Sequence, residues 1–304
     1  MDWIEIALSV DGESGEAVAE LLQRYGHQGV AIEQEGIPPE EWDDGEAQPA
    51  QRLTIRAYLP ADERAEDAKI RLETALGHMS LMYPMPRPVY SIVKEDDWAE
   101  AWKAHYHPIR IGRKFFIRPL WVEVETALDD LVIALDPGMA FGTGTHPTTQ
   151  LCLEALEDTV QPGVNVLDLG TGSGILAIGA AKLGAGHILA LDIDPIAVKA
   201  TQENIEQNGV ADKITAGQGS LENVITSARR FDLIVVNILA RIIIMMCDQH
   251  LGDAVRPGGK ALFSGIILDQ ADDVEAALRK TGLEPTARRI EGDWVLIEAT
   301  RPHS

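Results

Sequence analysis

Val166-Leu-Asp-Leu-Gly-Thr-Gly-Ser-Gly-Ile-Leu176 is the most informative stretch of this 304-residue chain. The run Val164–Leu169 is apolar except for Asn165 and Asp168, which predicts a strand buried on both faces of a sheet. Three alternating glycines then predict a tight turn, and the small apolar run after them predicts a helix. Ligands of open α/β sheets bind beyond the carboxyl ends of the strands, so the turn predicts a ligand site.

The spacing of the glycines distinguishes between classes of cofactor. A dinucleotide-binding turn needs a third glycine or alanine at the position that Ile175 occupies here. The chain instead has Gly170-Thr-Gly-Ser-Gly174, with Asp168 two residues ahead. The next predicted strand ends at Asp192, whose carboxylate can accept hydrogen bonds from both hydroxyls of a ribose. These residues resemble the first two motifs of the class I S-adenosylmethionine-dependent methyltransferases. A glycine turn of another α/β protein is the alternative.

Composition and charge restrict the possible partners. The chain is 45% hydrophobic and 24% charged, as expected for a soluble globular protein. Its formal net charge of −22 argues against nucleic acid as the main partner, because phosphate binding needs basic patches. The acidity favours a basic partner through the long-range field, although it could also serve solubility alone.

Cysteine usage and hydropathy indicate the compartment. Cys152 and Cys247 lie in apolar helical stretches without metal-ligand spacing, so we expect no metal site. The start of the chain, Met1–Glu5, lacks the basic region of a signal peptide. The most apolar run, Leu233–Cys247, is too short to span a bilayer. We therefore expect a cytoplasmic protein that does not bind membranes. The high net charge also favours a monomer.

Residues 1–94 are predicted to form the smaller of two domains. Their order of elements is β-α-β-β-α-β, that of a ferredoxin-like split βαβ unit, which many functions share. Residues 36–50 combine prolines with acids and predict an exposed loop. The predicted strands are 3–10, 29–35, 52–59 and 86–93, and the predicted helices are 14–25 and 62–76.

Residues 95–127 are predicted to be a linker region. Trp98 and Trp102 are spaced i, i+4 and share one helical face, which either packs against a domain or docks substrate. The stretches 115–122 and 131–135 predict a strand pair that could form a hairpin.

Residues 128–304 alternate strands with helices, as a doubly wound sheet does. Asp194 and Pro195 predict an N-cap and the first residue of a helix that ends at Gly209. Residues 256–259 predict a turn before the fifth strand, and a closing antiparallel pair follows the last helix. The predicted strands are 164–169, 187–192, 214–217, 231–237, 260–264, 283–290 and 294–299.

Two further stretches place polar groups near the predicted crevice. The loop Asp136–Thr149 combines glycines and prolines with threonine hydroxyls, and it could fold over the ligand. An ordinary glycine-rich connection is the alternative. Asn237 ends the fourth predicted strand and should face the same crevice, unless it only caps the strand.

With these stretches included, the chain resembles the PrmA family of ribosomal protein methyltransferases, which methylate the large-subunit ribosomal protein number eleven. The resemblance spans nearly the whole chain and is strongest from Trp98 to Ala240. The first ninety residues match in element order and acidity more than in motif. The matching pieces are Asp97-Trp98, Trp102-Lys103, Asp136–Thr149, Asp168–Gly174, Asp192–Pro195 and Asn237–Ala240.

The resemblance implies a ferredoxin-like substrate-recognition domain and a Rossmann-like methyltransferase domain with S-adenosylmethionine as cofactor. It implies cofactor contacts at Thr149, Gly170, Asp192 and Asn237, and the backbone of Gly172 should approach the same ligand. Asn237 also lies where related amino-methyltransferases place the polar group that orients the acceptor nitrogen, so it is the candidate catalytic residue. Asp168 should hold the turn or the ammonium of the cofactor.

The implied chemistry is an in-line displacement in which a neutral amine attacks the sulfonium methyl, so the protein mainly supplies alignment. A lysine amine has a reference pKa of about 10.4, and a dry site next to a sulfonium lowers it. Phe141 could contact a methylated ammonium or only pack in the core. His146 could accept a proton or only form a loop hydrogen bond, and water could also accept the proton.

We therefore expect methyl transfer to lysine side chains and the N-terminal amine of a basic ribosomal protein. One alternative keeps the cofactor and changes the acceptor to a small molecule or another protein. Another is a non-catalytic ribosome-assembly module that uses the cofactor fold as a scaffold. A nicotinamide oxidoreductase is a further alternative, which Ile175 argues against.

Overall fold

The computed structural model describes residues 3–10, 18–19, 21–22, 30–34, 53–62, 65–80, 86–93, 107–136 and 144–303. The chain divides into two compact units, Met1–Tyr106 and His107–Ser304. The division falls within the predicted linker region. Trp98, Trp102, Phe141 and the acidic loop 36–50 lie outside the described residues.

The first unit contains a four-stranded antiparallel sheet with the strand order β2-β3-β1-β4. Strand side chains alternate between the two faces of a sheet, so Ile4, Ile6 and Leu8 are buried together and pack with Leu72 and Leu76 of the helix. Residues 18–19 and 21–22 are also helical. The predicted ferredoxin-like order of elements is confirmed. The elements are β1 (Trp3–Val10), β2 (Val30–Gln34), β3 (Leu53–Pro60), α1 (Ala65–Met79) and β4 (Val89–Val93).

The second unit is built on a seven-stranded sheet with the order β10-β9-β8-β11-β12-β14-β13. Strands β8 to β12 are parallel, and β14 pairs antiparallel with both β12 and β13. The predicted doubly wound sheet with a closing antiparallel pair is therefore confirmed. The strands are β8 (Asn165–Leu169), β9 (His187–Asp192), β10 (Ile214–Gln218), β11 (Phe231–Asn237), β12 (Val255–Ile267), β13 (Glu284–Glu291) and β14 (Trp294–Thr300).

Helices cover both faces of this sheet. Val166 and Val235 belong to one hydrophobic cluster, whereas their chain neighbours Leu167 and Ile234 belong to the other, because successive strand side chains point to opposite faces. Asp194 caps its helix as predicted, since its Oδ1 accepts the Ile196 N–H at 2.8 Å. The helices are α2 (Pro147–Thr159), α3 (Ile175–Lys182), α4 (Pro195–Gln207), α5 (Leu221–Thr226), α6 (Ala240–Asp248) and α7 (Ala271–Lys280).

A three-stranded sheet precedes the large one and corrects the predicted hairpin. It consists of β5 (Ile109–Ile111), β6 (Phe115–Pro119) and β7 (Leu131–Leu135). The strands β6 and β7 do pair, but in parallel, because the long connection between them returns the chain to the same end. The hairpin is β5–β6, whose first strand is too short to give a sequence signal.

The predicted turn at Arg256–Gly259 is also wrong, because these residues lie within β12. Val255 pairs with Phe231 and Lys260 with Leu233, so the intervening residues form an irregularity in a continuous strand. Backbone hydrogen bonds join these residues to the segment that follows β14: the Gly258 N–H donates to the Arg301 carbonyl at 2.8 Å. Proline and two glycines thus produce a bulge here instead of a chain reversal.

The described residues also bear on membrane and metal sites. No helix among them is long and apolar enough to cross a membrane. Within the same residues, no group of three or more His, Cys, Asp and Glu side chains could hold a metal ion. Cys152 and Cys247 are buried free thiols, and burial raises the pKa of Cys247 to about 12.

Candidate active site

The sheet order places a crevice above the end of β8. From β8 the chain proceeds to β9 and β10 on one side of the sheet, and then crosses to β11 and β12 on the other side. The helices that follow β8 and β11 diverge at this point, which leaves a crevice at the carboxyl ends of the two strands. Gly170–Gly174 therefore faces Asn237 across the predicted ligand site.

The glycine turn adopts a backbone that other residues rarely take. Gly170, Gly172 and Gly174 have φ angles of +74°, +58° and +83°. A Cβ atom on Gly170 would lie 2.5 Å from Cγ2 of Ile238, and one on Gly174 would lie 2.9 Å from Cγ2 of Thr201. The turn is therefore restricted to bare backbone, which a ligand can approach closely.

Asp168 lies buried beneath the turn, with 1% of its surface exposed. Its Oδ2 accepts hydrogen bonds from Oγ1 of Thr171 at 2.7 Å and from the Ala177 N–H at 3.2 Å. Its Oδ1 is buried and has no hydrogen-bond partner. Burial raises the pKa of Asp168 to about 7, and the charge of Asp192 adds to this effect. A buried carboxylate oxygen without a hydrogen-bond partner destabilises the unliganded protein. The site therefore fits a ligand that places a cationic group beside Oδ1.

Asp192 braces the turn from the end of β9. Its Oδ2 accepts the Gly172 N–H at 2.9 Å, and its Oδ1 accepts the Asp194 N–H at 3.0 Å. Each carboxylate oxygen has two lone pairs, so both oxygens of this half-buried side chain can accept one further hydrogen bond. From α4, Oγ1 of Thr201 donates to the Gly172 carbonyl at 2.8 Å. The turn is thus held before any ligand binds.

The opposite side of the crevice carries the other predicted site residues. Asn237 ends β11, and its Nδ2 lies 3.5 Å from Oγ1 of Thr149 near the start of α2. The Thr149 side chain is buried, whereas Asn237 is half-buried. The structure therefore brings together two residues that are 88 positions apart in the sequence.

His146 caps the helix that carries Thr149. Its Nδ1 receives the Thr148 N–H at 3.3 Å and lies 2.7 Å from Oγ1 of Thr148. The imidazole ring lies edge-on to the ring of Trp294, with the centroids 4.8 Å apart. Burial lowers the pKa of His146, which favours the neutral form of the ring. These contacts support the structural interpretation of His146, in which it fixes the start of α2.

Ser264 is a site residue that the sequence interpretation missed. It is fully buried, pairs with Asn237 across β11 and β12, and donates a hydrogen bond from its Oγ to the Thr148 carbonyl at 3.2 Å. Its own carbonyl accepts the Ile238 N–H at 3.2 Å. One residue thus joins both segments that carry Asn237 and Thr149. A Ser-Gly pair inside the apolar run of a buried strand is the signal that could have identified it.

Gly265 makes this junction possible. Its φ angle is +81°, and a Cβ atom there would collide with the Ile238 carbonyl oxygen. Only glycine allows β12 to pass this close to the chain that follows β11.

The chain is similar to proteins of one family along nearly its whole length. The family model described as "Ribosomal protein L11 methyltransferase (PrmA)" matches residues 2–302. A ribosomal protein L11 methyltransferase of Chloroflexus aurantiacus is 43% identical, with 99% of this chain and 98% of that protein covered. One of Desulfitobacterium hafniense is also 43% identical, with 98% of each chain covered. The crystal structure of a ribosomal protein L11 methylase from Lactobacillus delbrueckii subsp. bulgaricus is 37% identical with a TM-score of 0.59, and covers 65% of this chain and all of that one.

Proposed function

The chain belongs to the family of ribosomal protein L11 methyltransferases (PrmA), and on this basis we propose that it methylates amines of ribosomal protein L11. It is a methyltransferase whose cofactor is S-adenosylmethionine. We propose lysine side chains and the N-terminal amine as acceptors. The observation that supports this proposal best is the pairing of a braced glycine turn with Asn237 across one crevice.

The side of the crevice formed by β8 and β9 would hold the cofactor, which supplies an activated methyl group when bound. The bare backbone of Gly170 and Gly172 allows close approach to the methionine part and the ribose. The remaining lone pairs of Asp192 would accept hydrogen bonds from the ribose hydroxyls. The unpaired Oδ1 of Asp168 would balance the ammonium group. Thr149, from across the crevice, would contact the amino-acid end.

The side formed by β11, β12 and α2 would hold the acceptor. Because Nδ2 of Asn237 is directed to Thr149, the Oδ1 atom is available to accept a hydrogen bond from an amine N–H. Such a bond would orient the nitrogen lone pair towards the methyl group, and alignment of this kind supplies most of the catalysis in a displacement. Asn237 is therefore the proposed catalytic residue.

The charge of the chain supports the remaining features of the proposal. A net charge of −22 favours a basic substrate protein and disfavours direct binding of nucleic acid. We also propose that the enzyme is a cytoplasmic monomer and that residues 1–94 recognise the substrate. Residues 1–90, nearly all of this segment, contain 18 acids and 7 bases and therefore have a net charge of −11.

Transfer of labelled methyl groups tests this function. Ribosomal proteins from cells that lack the enzyme are incubated with the purified protein and labelled S-adenosylmethionine. We expect label in L11, and little or none with Asp192→Ala when the cofactor concentration is near the wild-type Kd. The matched control is Asp194→Ala, which removes a carboxylate two residues away that only caps α4. Absence of label in L11, with cofactor binding intact, would contradict the substrate assignment and favour another acceptor.

A further inference from the structure

Three aliphatic side chains are exposed beside the acceptor half of the crevice. Leu239, Ile267 and Leu268 have 56%, 41% and 44% of their surfaces exposed. Together we name them the acceptor rim. Leu239 follows Asn237 by two positions, and Ile267 and Leu268 follow Ser264 by three and four. Exposed apolar side chains that border a site and have polar neighbours are typical of interaction surfaces.

We propose that the acceptor rim docks the lysine-bearing segment of the substrate protein. This inference rests on the proposed function, because it takes L11 as the substrate, and it adds the surface that the substrate contacts outside the crevice.

The rim is continuous with the candidate site. The Ile238 N–H donates to the Ser264 carbonyl, and Gly265 lies against the Ile238 carbonyl, so the chain that follows β11 lies directly beside β12. Ile267 pairs with Trp294, whose ring contacts His146 at the start of α2. A chain lying on the rim would therefore pass directly beside the proposed acceptor position.

The core does not need these side chains. Ile266 is fully buried in the hydrophobic cluster that covers this face of the sheet, and so is Ile243 of α6. Leu239 precedes the first residue of α6, and Leu268 begins the 3₁₀ turn Leu268–Gln270. Neither position requires a large aliphatic residue for folding. Exposed apolar surface at such positions does not stabilise the free protein. It contributes a favourable free energy only when a partner covers it.

The charges around the rim identify the chemistry of the partner. Asp269 and Asp293 are exposed next to it, and the Leu268 N–H donates to the Asp293 carbonyl at 2.8 Å. In the described part of the chain neither carboxylate forms an ion pair. By contrast, Asp272 and Glu275, a few residues later, are both paired with Arg288.

Glu291 adds negative charge on the side that faces α2. It is half-buried, and its pKa is raised by burial and by the charge of Glu154. No described cation pairs with either of these two carboxylates. A lysine side chain combines an apolar stem with a cationic tip, so it matches an aliphatic surface with unpaired carboxylates at its border.

Steady-state kinetics with purified L11 test the proposal. The double variant Asp269→Lys/Asp293→Lys reverses both charges at the rim, and Ile267→Ser/Leu268→Ser removes its apolar surface. The matched control, Glu206→Lys/Asp212→Lys, makes the same change in net charge near the amino ends of the strands, where both acids are exposed. Cofactor affinity, measured on every variant, shows whether the second unit remains folded.

We expect each rim variant to raise the KM for L11 on the order of tenfold, with kcat and cofactor affinity within about twofold of the wild type. The control should leave KM unchanged. An unchanged KM in the rim variants, or an equal rise in the control, would contradict the docking proposal. If the charge-reversed protein loses cofactor affinity, the milder Asp269→Asn/Asp293→Asn gives the same test. Failure of the wild type to methylate L11 would instead contradict the proposed function.

Discussion

The two sides of the crevice differ in how tightly they are organised. On the cofactor side, the carboxylates of Asp168 and Asp192 each accept two hydrogen bonds, at 2.7 to 3.2 Å. On the acceptor side, Ser264 and His146 bond to Thr148 and fix the start of α2, but the contact of Asn237 with Thr149 measures 3.5 Å. The cofactor side is formed before ligand binding, whereas the acceptor side leaves polar and apolar groups exposed.

This difference follows from the ligands that each side would bind. A small cofactor of fixed shape can be matched by a preorganised turn, which lowers the entropic cost of binding. A protein substrate brings its own backbone and side chains, and these can complete a surface that is only partly formed. We therefore expect substitutions on the cofactor side to change binding of the cofactor, and those on the acceptor side to change catalysis or KM.

Asp192→Ala should have the largest effect. The substitution removes the acceptor of the Gly172 and Asp194 N–H groups and the proposed acceptor of the ribose hydroxyls. We expect affinity for S-adenosylmethionine to fall more than about 100-fold, since two or more charge-assisted hydrogen bonds are lost. Isothermal titration calorimetry measures this, with Asp194→Ala as the control that should bind normally. Equal losses in the two variants would show that the effect is structural.

Asn237→Ala should separate catalysis from cofactor binding. We expect kcat to fall about 100-fold, the size expected when a group that orients the reacting atoms is removed. Cofactor affinity should fall much less than in Asp192→Ala, by no more than about tenfold, because the turn and Asp192 are untouched and only the one cofactor contact that the resemblance implies for Asn237 is lost. Single-turnover methyl transfer at saturating cofactor and L11 measures the chemical step. An unchanged rate would remove Asn237 from the proposed catalytic role.

Asp168 should make cofactor binding depend on pH. Its pKa of about 7 means that the carboxyl group is protonated below pH 7, and a bound ammonium group favours the ionised form. Affinity should therefore level off above about pH 8 and fall about tenfold between pH 7.5 and 6. Calorimetric titrations across this range test the sign. Asp168→Asn should bind more weakly and lose this pH dependence, and a wild-type affinity that rises on acidification would contradict the assignment.

Ser264→Ala should have the smallest effect and should act through its neighbours. Loss of the hydrogen bond to Thr148 loosens the junction between α2 and the end of β11, so we expect kcat/KM to fall about fivefold. In the Asn237→Ala background the same change should lower kcat/KM almost no further, because Ser264 acts only by positioning the side chain that Asn237→Ala has already removed. Thr159→Ala, which alters a buried hydroxyl at the far end of α2, is the matched control. Additive losses would contradict the positioning role.

The glycine turn and the strand ends of the proposed cofactor side could be predicted from the sequence because their constraints are local. Gly170, Gly172 and Gly174 need a left-handed backbone, and that need appears directly as glycine in the sequence. Asp192 ends a buried strand, so its position at the edge of the sheet follows from the strand pattern alone. The five parallel strands and the capped helix after Asp194 could be predicted for the same reason.

The acceptor side was harder to predict because its contacts join distant segments. Ser264 and Thr148 are 116 positions apart, and no periodic pattern indicates that they meet. The parallel pairing of β6 with β7 was missed because a strand pattern does not specify the direction of its partner. The bulge at Arg256–Gly259 was read as a turn because proline and glycine favour both structures.

Cofactor affinity and single-turnover methyl transfer to L11, measured together on Asp192→Ala and Asn237→Ala, test most directly whether the crevice has a cofactor half and an acceptor half. The account predicts that Asp192→Ala loses binding and recovers part of its transfer rate when the cofactor concentration is raised. It predicts that Asn237→Ala keeps most of its cofactor affinity and stays slow at every concentration. A loss of binding in Asn237→Ala as large as in Asp192→Ala, or normal binding in Asp192→Ala, would contradict the division.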